Sequence, residues 1–389
     1  MAQRAAGSYV EADIQGLKTR AFIPHPLPPQ PPVEWSAALA EQRDQANQSL
    51  GRLDGIARIL PEKQLFLYQY VRKEAVLSSQ IEGTQSSLRD LLLFELDEVP
   101  GVPMDDVREV SNYVAALDYG LAQLKAGRPI STALLNEMHG ILLRDGRGED
   151  KAPGQFRDRQ VFIGKARPFT ITFVPPPPSS VADCMVQLEA FLHDQPERTA
   201  VLLKAALAHV QFETIHPYRD GNGRLGRLLI TLLLCAESAL SEPLLYLSLY
   251  FKENRSEYYA KLQRVRTHGD WEGWLGFFFT GVRETSQSAV WTAERVLELF
   301  ARDRECITTL GRGASSALRV HQLLQQRPVL AIPDAAARLK MSWPAVDKAV
   351  QALEKLGIVR EFTGKKRHRL YAYDAYLDIL TEGAEPLPR

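Results

Sequence analysis

Residues 215–236 read IHPYRDGNGRLGRLLITLLLCA, and no other stretch limits the fold as tightly. The aliphatic run Leu228–Ala236 has to be buried, yet it is only about half the length of a membrane span. It therefore predicts a core helix. Directly before it stand a histidine, an acid, two glycines around an asparagine and two arginines. Asp220-Gly221-Asn222-Gly223 tolerates positive φ and predicts a tight loop. Arg224 is then expected to open the helix, whose unpaired N–H groups and dipole attract an anion. Pro217 predicts an extended backbone at His216 and a break in any helix that precedes it.

Each residue of this set has a chemical use. Arg224 and Arg227 are three apart, hence neighbours on the helix surface that reach one multi-phosphate ligand. Asp220 offers a hard oxygen for Mg²⁺, which commonly bridges one carboxylate and substrate phosphates. His216 is suited to act as a neutral general base near pH 7. A DGNG on its own is a turn, a lone His before Pro is structural, and two arginines on a helix face solvent. Their coincidence before a buried helix predicts a phosphoryl or nucleotidyl transfer site. His209, one heptad earlier, is expected to be a core-facing helix histidine.

The rest of the chain reads as mostly helical. PHPLPPQPPV (24–33) predicts an extended proline strap, either packed on the body or free as a ligand segment. Helical patterning runs from Glu34 to about Gly127, from Ile130 to about Asp145, and from about 180 to 306. Within it, PGQFRDRQVFIGKARPFTITFVPPPP (153–178) predicts a β-hairpin with strands at Val161–Ile163 and Thr170–Val174. LGRGASS (310–316) predicts a linker. A helix at 317–326, helix–turn–helix patterns at 332–340 and 342–357, and a hairpin at 358–373 follow, in the order of a winged helix.

Hydrophobic residues make up 45% of the 389 and charged ones 24%, with 47 basic against 47 acidic side chains. Net charge therefore gives no general pull toward nucleic acid or an anionic membrane. The widely spaced Cys184, Cys235 and Cys306 have no metal-ligand spacing and suit a reducing compartment, and Cys235 is expected to be buried. The N-terminal MAQRAAGSYVEADIQG has no apolar signal region. A cytoplasmic protein without a membrane partner is expected.

HPYRDGNGRLGR (216–227) resembles the Fic-domain motif, His-Pro-Phe-x-Asp/Glu-Gly-Asn-Gly/Lys-Arg-x-x-Arg, with Tyr218 in place of the usual Phe. The similarity covers most of 35–300. It implies a mainly α-helical Fic-type bundle with a β-hairpin flap, followed by a small winged helix-turn-helix domain. The expected units are 1–130 (strap and helices), 131–309 (catalytic core with the flap at 153–178) and 312–389 (winged helix). The implied activity is transfer of AMP from ATP to a Ser, Thr or Tyr hydroxyl of a target protein, or of the enzyme itself, with release of pyrophosphate. His216 would deprotonate the hydroxyl and Asp220 would hold Mg²⁺. Gly221, Asn222 and Gly223 would form the anion hole, and Arg224 and Arg227 would hold the outer phosphates.

SSQIEG (78–83) is similar to the family's inhibitory motif, Ser/Thr-x-x-x-Glu-Gly/Asn. The resemblance implies an inhibitory helix at about 65–83 in which Ser78, Glu82 and Gly83 belong to the motif and Glu82 forms a two-oxygen pair with Arg227. Phe162, Ile163 and Gly164 are expected to hold an extended target segment at the flap edge. Tyr258 and Tyr259 fall where relatives bring aromatics toward adenine, or belong to the core. Relatives also make a homodimer an expectation. For the winged helix, the basic GKKRHR run suits DNA, whereas Asp347 and Glu354 on the helix before it favour a protein partner. Removal of AMP by the same site, transfer of a different group, and a DNA-binding regulator with nucleotide as effector remain alternatives.

Overall fold

A computed structural model describes residues 4–14, 16–59, 63–95, 104–166, 169–364 and 369–386. The chain opens with a hairpin, β1 (Gly7–Ile14) and β2 (Leu17–Pro24), antiparallel with Val10 opposite Ala21. No strand is expected there from the reading above, although Val10, Ala12 and Ile14 alternate with polar residues. The proline strap then lies on the body: Leu27 is buried, and the His25 carbonyl accepts from Gln211.

Helices follow: α1 (Ala37–Ile59), α2 (Lys63–Ile81), α3 (Leu88–Phe94), α4 (Met104–Lys125) and α5 (Thr132–Leu142). The flap is β3 (Ile163–Ala166) and β4 (Phe169–Phe173), antiparallel, with a register irregularity between Ile163 and Gly164. The hairpin is present as expected, but Val161 and Phe162 precede the strand. Phe162 packs instead in a small cluster with Ile14, Ala21 and Val174. The second block holds α6 (Pro178–Leu192), α7 (Val201–Ile215), α8 (Asn222–Ala236), α9 (Ser248–Glu253), α10 (Arg255–His268) and the long α11 (Trp271–Thr308).

Helix α7 is the axis of the bundle. All its residues except Val201 and Leu203 are buried, including the polar Lys204, His209, Gln211, Glu213 and Thr214. Helix α8 packs against it, and Gly226 lets the two approach: a Cβ there would lie 2.7 Å from Glu213 Oε1 and 3.1 Å from the Phe212 ring. His209 lies in this core as expected. Its Nδ1–H donates to the Gly226 carbonyl (2.9 Å), leaving Nε2 to accept from the Tyr258 hydroxyl (2.8 Å). Cys184 is buried, but Cys235 is only half-buried near the end of α8, where the helix reaches the surface.

The expected linker is not one. Gly311–Gly313 form a 3₁₀ turn, and Ala314 already begins α12 (Ala314–Gln326). Beyond it come β5 (Val329–Ala331), α13 (Ile332–Leu339), α14 (Trp343–Lys355), β6 (Arg360–Glu361), β7 (Leu370–Ala372) and α15 (Asp374–Thr381). The strands form one sheet in the order β5-β7-β6. Tyr373 and Tyr376 pack on Phe300 of α11, and the Tyr373 hydroxyl donates to Asp303, so this region continues the bundle's core. Most of the basic run GKKRHR (365–368) lies outside the described residues.

After α15 the chain docks on α2. The buried amine of Lys73 donates to the Glu382 carbonyl (2.8 Å), and the Gln80 amide to the carbonyls of Ser86 and Ala384 (both 2.9 Å). From α9, Lys252 donates to the Gly383 carbonyl (3.0 Å). Gln80→Leu keeps the bulk but leaves two buried carbonyls without a donor. Denaturant unfolding is expected to register a loss of about 1–3 kcal/mol, with faster amide exchange at 382–385.

Candidate active site

Helix α7 has to end at His216, because Pro217 has no N–H with which to continue it. The expected extended backbone at His216 is not found: φ is 48° and ψ 61°, the left-handed region. Histidine is among the residues that tolerate this region, and the conformation turns the chain at the helix C-terminus. Five residues on, Gly221 takes φ 76° and α8 starts at Asn222, two residues before the expected position. Asn222 braces the loop from inside. Its Oδ1 accepts from the Tyr218 N–H and its Nδ2 donates to the Tyr218 carbonyl, each at 2.9 Å. Tyr218 is fully buried, and its hydroxyl donates to Asn136 Oδ1 (2.7 Å), a partner that Phe would lack.

No side chain caps the start of α8. A helix start left open in this way attracts negative charge, and a carboxylate lies beside it. A Cβ built on Gly223 would come within 2.3 Å of Glu82 Oε1 and 3.1 Å of Arg227 Nη1. Glu82 arrives from the end of α2, where Gly83 (φ 104°) turns the chain away. Its Oε1 accepts from Arg227 Nη2 at 2.7 Å. This is a single contact, not the expected two-oxygen fork, and Ser78 shares the guanidinium: Nε donates to Ser78 Oγ (2.8 Å) and Nη2 also to the Ser78 carbonyl (2.9 Å). Burial alone would raise the Glu82 pKa, but the charge and hydrogen bond of Arg227 outweigh it and hold the carboxyl below its usual range.

Arg224 faces a different acid. Its Nη1 lies 2.8 Å from Glu109 of α4, both side chains being 3% exposed, and its Nη2 lies 3.7 Å from Asp220 Oδ1. Asp220 is more open, 37% exposed. His139 of α5 fixes its backbone: Nδ1 accepts from the Gly154 N–H (2.8 Å), so Nε2 carries the proton donated to the Asp220 carbonyl (2.9 Å). The His139 ring stacks on Tyr218 with centroids 3.8 Å apart.

Around His216 the charges are positive. Arg157, between α5 and the flap, donates from Nε to the His216 carbonyl (2.9 Å). Arg266 of α10 donates to the Glu213 carbonyl (3.0 Å) and to Thr214 Oγ1 (3.1 Å), and its guanidinium lies 4.1 Å from the centre of the Phe173 ring. Burial, followed by the charges of Arg266 and Arg157, lowers the His216 pKa to about 3. Glu213 is buried on the last turn of α7, its Oε1 has no hydrogen-bond partner, and burial raises its carboxyl to about 7. Of the tyrosines, Tyr258 belongs to the core, while Tyr259 is 40% exposed beside Arg255. At the flap, Gly164 is exposed and Ile163 half-buried. Among the described residues β3 pairs with β4 alone, so its other edge carries no strand.

Glu109, Glu213, His139, Arg157 and Arg266 lie around the candidate site without being expected from the sequence, as does Glu74, which accepts from the Ser248 N–H (3.2 Å) and feels the charge of Arg227. Three of them left a trace. Glu109 shares a stripe with Tyr113, Ala116 and Gly120, Glu74 one with Tyr70, Leu77 and Ile81, and Glu213 one with Ala206, His209 and Val210 of α7. The arginines left none, since Arg157 bonds only carbonyls and Arg266 a carbonyl and the Thr214 hydroxyl.

The buried His216 ring gives a pH prediction. An unfolded chain protonates His216 below about pH 6.5, whereas the folded ring resists protonation down to about pH 3. Its stabilising contribution is thus fully present above about 6.5 and is lost as the pH falls through the folded value. The His216 ring resonance in NMR should not move between pH 7.5 and about 5; a midpoint near 6.5 would refute this.

Comparison with known proteins bears on the same elements. A family model described as Fic/DOC family N-terminal matches residues 40–122, and one described as Fic/DOC family matches 129–234. The chain is 31% identical over 175 residues to protein adenylyltransferase fic-1 of Caenorhabditis briggsae (44% of this chain, 31% of that protein). It is 30% identical over 194 residues to protein adenylyltransferase Fic of Drosophila melanogaster (50% and 36%). The matches thus span about a third of those curated relatives' own length. Among solved structures, a Fic family protein from Desulfovibrio desulfuricans G20 superposes with a TM-score of 0.58 at 20% identity, covering 88% of this chain and 98% of that one. A Fic domain containing signaling protein from Bacteroides thetaiotaomicron gives 0.52 at 18% identity, covering 65% and 97%. At such identities the likeness concerns the fold. Two matching family models and a motif on the loop between α7 and α8 that departs only at Tyr218 agree: through residues 40–122 and 129–234, the chain belongs to the Fic/DOC family.

Proposed function

We propose that the chain is a protein adenylyltransferase that Glu82 holds in an inhibited state. The observation carrying this reading is the Glu82 carboxylate, 2.7 Å from Arg227 and directly over Gly223 at the uncapped start of α8. A phosphate bound at a helix start would need the same N–H groups and the same arginine. Glu82 keeps 35% side-chain exposure, so it can swing into solvent without unpacking α2.

With Glu82 displaced, ATP would lie with its outer phosphates on Arg227 and the first N–H groups of α8. Neutral His216 would take the proton of a Ser, Thr or Tyr hydroxyl on the target. The hydroxyl oxygen would then form a bond to the α-phosphorus as the bond to the bridging oxygen breaks and pyrophosphate leaves. Arg224, bound to Glu109, acts from behind by fixing the field at Asp220. Among the described residues no three His, Cys, Asp or Glu side chains converge as a metal cage. The single carboxylate of Asp220 suits Mg²⁺, which completes its shell with phosphates and water. Bound there, the ion would neutralise charge on the polyphosphate. The open edge of β3 at Ile163 and Gly164 would hold the target segment by main-chain pairing; Phe162, packed below, supports that edge.

We read residues 131–309 as the catalytic unit, preceded by the inhibitory region, and 312–389 as a winged helix-turn-helix. Trp343 at the start of α14 is 53% exposed, on the helix that carries Asp347 and Glu354, which suits a protein contact, a second copy of the chain included, better than DNA. Among the described residues no helix is long and apolar enough to cross a membrane. The three cysteines are free, in keeping with a cytoplasmic setting.

The test is label transfer from ATP carrying the label at the α-phosphate, with Mg²⁺ and cell lysate. Glu82→Gly is expected to exceed the parent about ten- to a hundredfold, the range held back by a charge-assisted hydrogen bond of about 1.5–3 kcal/mol. Glu82→Gly with His216→Ala should label nothing. Label retained only from the γ-phosphate would mean phosphoryl transfer instead. A Glu82→Gly protein that cannot release AMP where the parent can would make Glu82 a participant in AMP removal. Label incorporation in neither case, with ATP bound and the fold intact, refutes the proposal.

A further inference from the structure

Helix α7 ends in a way that its own backbone cannot complete. The last carbonyls of a helix are ordinarily met by the N–H groups of the next residues, but Pro217 follows His216 directly and has none. The donors come instead from two distant arginines. Arg266 takes the Glu213 carbonyl (3.0 Å). Arg157 takes the His216 carbonyl through Nε (2.9 Å) and that of Ile215 through Nη2 (3.4 Å), while its own N–H donates to the Pro217 carbonyl (2.9 Å).

Arg157 is 2% exposed and has no carboxylate within ion-pair distance among the described residues. A buried cation without an acid is costly unless other groups satisfy it. Here the satisfying groups are carbonyls at the negative end of the α7 dipole and two on the flap's flanks. Nη2 also donates to the Pro176 carbonyl (2.5 Å) and Nη1 to that of Arg159 (3.4 Å). Residues 157 and 176 bracket the flap hairpin. One guanidinium thus closes the base of the flap and grips the backbone of the histidine at the same time.

We infer that Arg157 is a positioning residue: it holds His216 in its left-handed conformation and sets the register of the flap against the His216 ring. This rests on the reading of His216 as the base. Lysine cannot replace it, because one ammonium cannot span carbonyls on both the flap base and the helix end. A displacement of about 1 Å at a reacting group costs on the order of a hundredfold in rate.

The experiment uses the full chain in the Glu82→Gly background with Arg157→Lys, Arg157→Gln and His216→Ala. ATP binding is followed by calorimetry with Mg²⁺, folding by thermal melts, and AMP transfer by label. Both Arg157 variants are expected to bind ATP within about threefold of the background but to transfer AMP at least about tenfold more slowly, a loss in kcat. Adding His216→Ala to Arg157→Lys should cost no more than His216→Ala alone, since the arginine acts through the histidine. In the ring titration, loss of the Arg157 charge in Arg157→Gln should raise the His216 pKa, the charges of Arg266 and Glu82 remaining.

Arg157→Lys with undiminished transfer overturns the inference while leaving the base intact. A loss that only tracks ATP affinity or melting temperature overturns it too, as that is what a structural role alone would give. A His216→Ala protein that still transfers AMP would instead remove the base on which it rests. If neither Arg157 variant folds, hydrogen exchange of the Arg157 Nε–H in the parent decides: slow exchange supports the clamp, and exchange at the rate of a solvent-exposed guanidinium overturns it.

Discussion

A buried helix start with no capping side chain leaves N–H groups that attract negative charge, and much of this protein follows from that. The first turn of α8 is such a start, and Glu82 is the charge it finds. Helix α2 has to lie where its last turn can reach Gly223, and Gly83 has to turn the chain away just afterwards. Arg227 emerges on the same side one turn into α8, so Ser78 and Glu82, four apart on α2, meet one guanidinium. An anion site and its intramolecular occupant are thus a single packing arrangement.

The interior around that site carries more charge than an ordinary core. Glu74, Glu109 and Glu213 are buried, and for each, burial pushes the carboxyl above its usual range. They survive burial differently. Glu74 accepts from Ser248 and Glu109 pairs with Arg224, whereas Glu213 keeps one oxygen without a partner. Buried charges of this kind are costly to hold, and their clustering beside His216 and Arg227 is characteristic of sites built for chemistry.

Much of this was legible in the residues. The aliphatic run after DGNGRLGR announces α8 by its own pattern, whereas the acid that meets Arg227 is implied by the resemblance of SSQIEG to the family's inhibitory motif and not by spacing. The His-Pro pair announces the end of α7 but not the left-handed turn, since Pro217 restricts the neighbouring backbone without saying how the chain reverses. Glu109 and Arg157 were not legible as partners of Arg224 and His216. Their contacts join segments far apart in sequence, and a bond to a backbone carbonyl leaves no residue type to recognise. The β1–β2 hairpin is not expected from the sequence because its short apolar face meets the flap rather than the helical core, and 310–316 resembles a linker because glycine permits a turn without requiring mobility.

Helix α2 also serves a second master. Gln80, between Ser78 and Glu82, donates to the carbonyl of Ala384, and Lys73, two turns earlier, to that of Glu382. The helix that presents an acid to Arg227 is thereby the helix on which the segment after α15 rests. Contacts that share one rigid element share its free energy: whatever lifts Glu82 by moving α2 must also strain the bonds to 382–384, and whatever loosens those bonds lowers the work of moving α2. Such linkage is reciprocal by thermodynamic necessity. A movement of α2 that displaced Glu82 would therefore be felt at 382–384, which rest on the same helix from Lys73 to Gln80.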